Sequence, residues 1–317
     1  MKNIYIFMIF TFSIFICSCN NSGTTSENKN IVSLSTSDQE DESKKQIPIV
    51  IIGPSTVYIE KYPDNKNPFR HYSNDSSCRL YGWGELLPEF LKEPNSVYNF
   101  AQPGATAQTF LIAPEKRKKN EQILFGPNRD HYWAKAKEKM QILKNGILLI
   151  QFGGNDKRVL EEKYNHDNAK IETAFKDSIQ FYIDEAKSLN FAPVLISSIE
   201  RRSFDKNGNL KKSRGDFPRW MRELAQTNGL EFLDLNQKSF DEYSKYNQDE
   251  LNSKFADCYN KWRYNDLVRN YHLSKEEAKK EAREDTHFEK KGARIVAGWI
   301  KDLACEDKES LLCKQFR

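Results

Sequence analysis

Four short segments, spread over the whole chain, carry side chains suited to acyl transfer. Ser55, in Gly53-Pro54-Ser55-Thr56, stands directly after the apolar run Ile47-Pro48-Ile49-Val50-Ile51-Ile52. A β-branched run ending in Gly-x-Ser reads as a buried strand turning sharply into a helix, which leaves a hydroxyl at the C-terminal edge of a sheet. The same serine also suits a plain helix N-cap. Gly104, in Asn99-Phe-Ala-Gln-Pro-Gly104-Ala-Thr106, is either a loop glycine or a point where the backbone comes close enough for its N–H to face a developing oxyanion. Asn155, in Gln151-Phe-Gly-Gly-Asn155-Asp156, offers a neutral amide donor to the same oxyanion, or caps a helix together with Asp156. His287 closes Glu284-Asp285-Thr286-His287-Phe288 and has the makings of a general base whose tautomer a carboxylate fixes. Glu284 and Asp285 are both candidates for that carboxylate. The remaining histidines, His71, His131, His166 and His272, have no comparable neighbours. A metal site from Glu284, Asp285 and His287 would lack a second histidine at ligand spacing, and no Gly-rich phosphate loop is present, so neither metal nor cofactor is expected.

These groups meet only if the elements between them fold into one layered domain. From residue 47 onward, strand-like and helix-like patterns alternate, the signature of a parallel sheet covered by helices. Strands are expected over 47–52, 97–100, 146–152, 193–198 and 230–235. Apolar spacing predicts helices over 81–91, 134–144, 169–189, 217–228 (ended by Gly229) and 289–303, the last with Ile295, Val296, Trp299 and Ile300 facing inward. The stretches 113–132 and 243–283 fit the alternation poorly. The second is dense in Lys, Glu, Tyr and Asn and reads as a helical insert that shapes a cleft or merely decorates the rim.

Composition narrows the class. Across 317 residues, 49 basic and 45 acidic side chains leave a net charge of +4, scattered rather than gathered on a stripe, which argues against a nucleic-acid partner. Lys2, the apolar stretch from Ile4 to Ile16 and Ile16-Cys17-Ser18-Cys19 resemble a bacterial lipoprotein signal, with Cys19 as the lipidated residue and the cell envelope as destination. An ordinary cleaved signal peptide is the alternative. Residues 20–46, nearly devoid of apolar side chains, read as a flexible tether. The domain then spans 47–304, followed by a tail over 305–317. Cys78, Cys258, Cys305 and Cys313 allow three pairings that the sequence does not choose between, although Cys305 and Cys313 are near enough to close a small loop.

Taken in order, Ser, Gly, Asn and acid–His resemble the four blocks of the SGNH (GDSL) hydrolase superfamily, and within it the rhamnogalacturonan acetylesterase-like branch. Gly53-Pro-Ser-Thr, Tyr81-Gly-Trp-Gly-Glu-Leu-Leu-Pro, Gln151-Phe-Gly-Gly-Asn-Asp and Asp285-Thr-His-Phe carry the likeness. Ser198-Ile-Glu-Arg-Arg-Ser-Phe-Asp205 and Leu233-Asp-Leu-Asn236 add to it between the blocks. The resemblance implies a three-layer α/β/α sandwich with a mostly parallel, flavodoxin-like sheet. It also implies a serine esterase that removes O-acetyl groups from a carbohydrate. Ser55 then matches the nucleophile and first oxyanion donor, Gly104 and Asn155 the other donors, and His287 the base. The family spacing of acid to histidine points to Glu284, whereas Asp285 is the family residue type. If the glycan is pectic, Arg201 and Arg202 are candidates to meet its uronate carboxylates, or they form a solvated rim. Pro54, Pro103 and Gly154 depart from the family pattern, and Pro54, Gly154 and the shifted acid leave open a surface glycan-binding protein that kept the fold and lost turnover. Xylan, sialate or small lipase-like esters are the alternative substrates. Oligomeric state is not legible.

Overall fold

Ile49-Val-Ile-Ile52 and Gly146-Ile-Leu-Leu-Ile-Gln151 are apolar at nearly every position, so both faces of each strand must be covered. The computed structural model of the protein describes residues 47–58, 78–111, 132–283 and 285–317. Its strands are β1 (Ile49–Ile52), β2 (Leu80–Tyr81), β3 (Val97–Asn99), β4 (Gly146–Gln151), β5 (Phe191–Ile196), β6 (Glu231–Leu233) and β7 (Phe288–Glu289). Five form a parallel sheet in the order β3-β1-β4-β5-β6, with Ile49 opposite Val97 on one side and Ile147 on the other. One strand, β3, on one side of β1 and three on the other give the doubly wound topology that the alternation of patterns implied.

Because side chains alternate across a strand, each buried run feeds two cores. Ile49, Ile51, Ile147, Leu149, Val194 and Ile196 enter one layer, and Val50, Ile52, Leu148, Ile150 and Leu195 the other. Burying each Ile or Leu of this kind stabilises by about 2 kcal/mol. The helices are α1 (Trp83–Leu86), α2 (Ala107–Leu111), α3 (Tyr132–Leu143), α4 (Asp156–Lys163), α5 (Asn168–Ser188), α6 (Phe217–Asn228), α7 (Leu235–Tyr243), α8 (Gln248–Asn270), α9 (Lys275–Glu281) and α10 (Lys290–Ala304). Helices α1, α7 and α10 and the first part of α8 cover the first layer, and α2 to α6 the second.

The departures from the sequence expectation have local causes. The helix expected over 81–91 ends at Leu86 and tightens into a 3₁₀ turn over Leu87–Phe90, because Pro88 has no N–H to continue the α ladder. Helix α4 starts where the capping reading of Asn155 and Asp156 put a helix, with Asn155 as its N-cap residue. The 243–283 stretch is helical, as α8 and α9. At Ala256 (φ −155°, ψ 36°) α8 breaks, and Glu289 Oε1 accepts the Tyr259 N–H at 2.7 Å where the ladder is interrupted. Disulfides join Cys78 to Cys258 and Cys305 to Cys313. The tail beyond residue 304 is integral to the fold: Leu312 and Phe316 enter the first core layer, and Phe316 bridges to Leu91.

A short antiparallel ribbon, β2 with β7, pairs Tyr81 with Phe288 and Leu80 with Glu289. It turns into α1 at Gly82, where a Cβ would sit 2.0 Å from the Val57 carbonyl carbon, so only glycine lets the ribbon approach the segment after Ser55 this closely. Much of the 113–132 stretch, Glu284 and the proposed lipidation site Cys19, with the signal and tether, lie outside the described residues. Among those residues no helix is long and apolar enough to cross a membrane.

Candidate active site

Strand β1 ends at Ile52 and delivers Ser55 three positions later. The turn there is closed by the Val57 and Tyr58 N–H groups, which donate to Pro54 O at 3.0 and 3.3 Å. A residue that would normally donate from position 54 is proline, so that position accepts only. Beneath the turn the Thr56 hydroxyl donates to Gln151 Oε1 at 3.0 Å and the Trp83 indole to the same oxygen at 3.1 Å. The Gln151 amide donates in turn to Ser197 O. Gln151 thereby ties the ends of three neighbouring segments together, and a buried amide satisfied on both sides holds them rigidly.

His287 stands one residue before β7, so the β2–β7 ribbon fixes where it emerges. Its Nε2 lies 2.8 Å from Ser55 Oγ, the separation of a nucleophile–base hydrogen bond. Ser55 is 5% exposed and faces a cavity of about 310 Å³ lined by Ser55, Gly104, Asn155, Arg201, Thr286 and His287, with Pro54, Gly154, Arg158, Ser198, Ile199 and Arg214 completing the wall. All of the expected oxyanion donors therefore border one space. Gly104 adopts φ 77°, a conformation that side chains disfavour. The Asn155 amide donates one hydrogen to Ala105 O at 3.0 Å, which leaves its second N–H for a ligand.

Asp156 sets the two donor loops relative to each other. Its Oδ1 accepts the Ala107 N–H at 2.7 Å and its Oδ2 the Gly153 N–H at 2.8 Å. Burial pushes its carboxyl up to about 6, against the downward pull of those N–H groups. Tyr182, also buried, donates to Ala107 O at 2.7 Å from below.

The acid–histidine turn shows what sequence alone left open. The Asp285 carboxylate accepts the Thr286 hydroxyl at 2.7 Å and lies 3.9 Å from Arg201 Nη1. Arg201 borders the cavity, but Arg202 does not. Arg202 is fully buried, with its guanidinium donating to His287 O at 2.7 Å and lying over the Phe255 and Phe288 rings at 5.3 Å. The expectation that Arg202 meets a substrate carboxylate is thus overturned. Consecutive side chains in extended backbone point opposite ways, and Arg202 is the one turned inward.

Sequence reasoning missed Arg214 and Arg158. Arg214 is nearly buried, fixed by a bond from Nε to Ile199 O at 2.6 Å, and stands where Gly154 leaves room: a Cβ there would be 3.4 Å from Nη1. Burial, and then the Arg201 charge, bring its guanidinium down to about 10, so it remains a cation at neutral pH. Nothing in Ser213-Arg214-Gly215 signals this; it follows from the turn of chain between β5 and α6. Among the described lining residues the charged groups are these three arginines, and no carboxylate lines the cavity.

Residues 49–300 match the family model of the GDSL-like lipases/acylhydrolases, which is most of the chain. The chain belongs to that family. As a GDSL-like acylhydrolase it is a carboxylic ester hydrolase, and the serine–histidine contact has the parts for that chemistry. The rhamnogalacturonan acetylesterase RhgT of Bacillus subtilis is 26% identical over 276 residues, covering 86% of this chain and 97% of RhgT. In fold, this GDSL-like chain is similar to the Bacillus subtilis protein YxiM, with a TM-score of 0.53 at 16% identity. That match covers 84% of this chain but only 58% of YxiM.

Proposed function

We propose that this esterase removes O-acetyl groups from a carbohydrate through a Ser55 acyl-enzyme. The observation that carries the reading is the 2.8 Å contact of Ser55 Oγ with His287 Nε2 at the floor of the cavity that Gly104 and Asn155 border. His287 takes the serine proton as Oγ attacks the ester carbonyl. The resulting oxyanion is held by the Ser55 and Gly104 N–H groups and the Asn155 amide. Collapse breaks the bond to the sugar oxygen, which leaves as a hydroxyl by taking the proton from His287, and a water activated by the same imidazole then releases acetate. We assign Glu284 to orient His287: it has the spacing, and the Asp285 carboxylate is engaged by Thr286 and Arg201.

The carbohydrate class rests on the likeness to RhgT. Arg158, Arg201 and Arg214 around the cavity favour a pectic glycan, whose uronate carboxylates would find cations and no carboxylate among the described lining residues. We also propose that residues 1–19 direct lipidation at Cys19 and so anchor the esterase in a bacterial envelope.

Acetate release from acetylated pectic rhamnogalacturonan, xylan and a sialoglycan, measured beside Ser55→Ala, Glu284→Ala and Asp285→Ala, tests the reading. Release that is fastest from the pectic substrate and lost with Ser55 and Glu284 is expected. Release unaffected by Ser55→Ala would overturn it, and binding of these glycans with no turnover would mark a binding protein.

A further inference from the structure

A cation with no exposure, set against two aromatic rings, carries a desolvation cost that the fold must offset. Arg202 does so at one place. Its backbone N–H donates to Asp285 O at 2.8 Å, and its Nη2 donates to His287 O at 2.7 Å. The two acceptors flank Thr286, so one residue grips both ends of the three-residue turn that presents the imidazole. Phe288, over which the same guanidinium lies, is the first residue of β7.

From this two-point grip we infer that Arg202 is the positioning residue for the base: it acts through His287 and does not contact substrate. The inference rests on the esterase reading for its assay. The guanidinium itself holds the His287 carbonyl, whereas the Asp285 carbonyl is held by the Arg202 main chain, which every side-chain variant keeps. A charge-assisted donor to a carbonyl is shorter and stiffer than a neutral one. The 2.7 Å length of the His287 bond fits that description. The Ser55–His287 contact depends on where a loop residue sits, and a misplacement of about 1 Å in such a contact costs about 100-fold in rate. Lysine offers the His287 carbonyl one rotatable ammonium in place of the planar fork that fixes the direction of the arginine donor.

The test is hydrolysis of 4-nitrophenyl acetate by the full chain and by Arg202→Lys, Arg202→Met and Arg202→Ala, with kcat expressed per folded molecule from near-ultraviolet circular dichroism. Ser55→Ala serves as the reference. We expect kcat to fall about 10- to 100-fold in Arg202→Met, with KM within about twofold, a partial recovery in Arg202→Lys, and a gain in Arg202→Ala on adding guanidinium that matched urea does not give. A kcat per folded molecule close to that of the unaltered chain, or a loss confined to KM, overturns the inference. If Arg202→Met does not fold, the lysine variant decides: unchanged kcat in it with no guanidinium response in Arg202→Ala has the same overturning force. A chain whose activity is equal in Ser55→Ala refutes the esterase reading instead, which separates the two failures.

Discussion

Ser55 Oγ and His287 Nε2 lie 2.8 Å apart although 232 positions separate them in the chain. The contact is made by two turns that share no hydrogen-bond ladder, one leaving a central strand and the other entering a two-residue ribbon. On the proposed mechanism, replacing either side chain removes the nucleophile or its base. For Ser55→Ala and His287→Ala, acetate release followed at constant pH should fall by about 10⁴-fold or more, with glycan binding retained.

Asn155 borders the cavity with one amide hydrogen committed to Ala105 O. On the proposed mechanism, truncation to alanine takes away an oxyanion donor that acts only as charge develops, so kcat should fall about 10²- to 10³-fold while KM changes little. A change confined to KM in steady-state kinetics would show that Asn155 binds the ground state instead.

Asp156 couples stability to pH in a direction unusual for a carboxylate. Folding raises its carboxyl from 3.8 to about 6, so between these values the native state holds a proton that the unfolded chain has lost. Its contribution is full below about pH 4 and is lost as pH rises through about 6, a change on the order of 3 kcal/mol. Asp156→Asn should flatten that part of the stability curve in urea unfolding at pH 4, 5, 6 and 7. Activity should run the other way, since the ionised carboxylate is the better acceptor for the Ala107 and Gly153 N–H groups that set the oxyanion loops.

The Cys78–Cys258 disulfide links the segment before β2 to the broken helix α8 across 180 positions. Closing so long a loop restricts the unfolded chain by about 5 kcal/mol in the entropic account. Paired replacement by serine should lower the melting temperature well below that of the Cys305–Cys313 double variant, whose bridge spans 8 positions. Equal shifts in differential scanning calorimetry would refute the ranking.

How much of this was legible in sequence depends on the range of the forces involved. Ile49–Ile52 and Gly146–Gln151 announce themselves, since runs with both faces apolar can lie only at the centre of a sheet. Gly229 ends α6 in the left-handed conformation that its identity suggests. The ribbon of β2 and β7 was invisible because two residues carry no periodicity, and its partner lies at the far end of the chain. Arg201 and Arg202 were indistinguishable as letters; which of them turns inward is decided by Phe255, on α8, and Phe288, on β7. Arg214 reaches the cavity only because Gly154 leaves space on a different element.

The β2–β7 ribbon also has a consequence in time. A growing polypeptide holds Ser55, Gly104 and Asn155 long before Phe288 can pair with Tyr81 and seat the imidazole. The central sheet, completed at Leu233, can assemble around an inert serine. Hydrolytic competence thus follows assembly of the central sheet, and its return on refolding would register ribbon closure rather than pairing of the sheet strands.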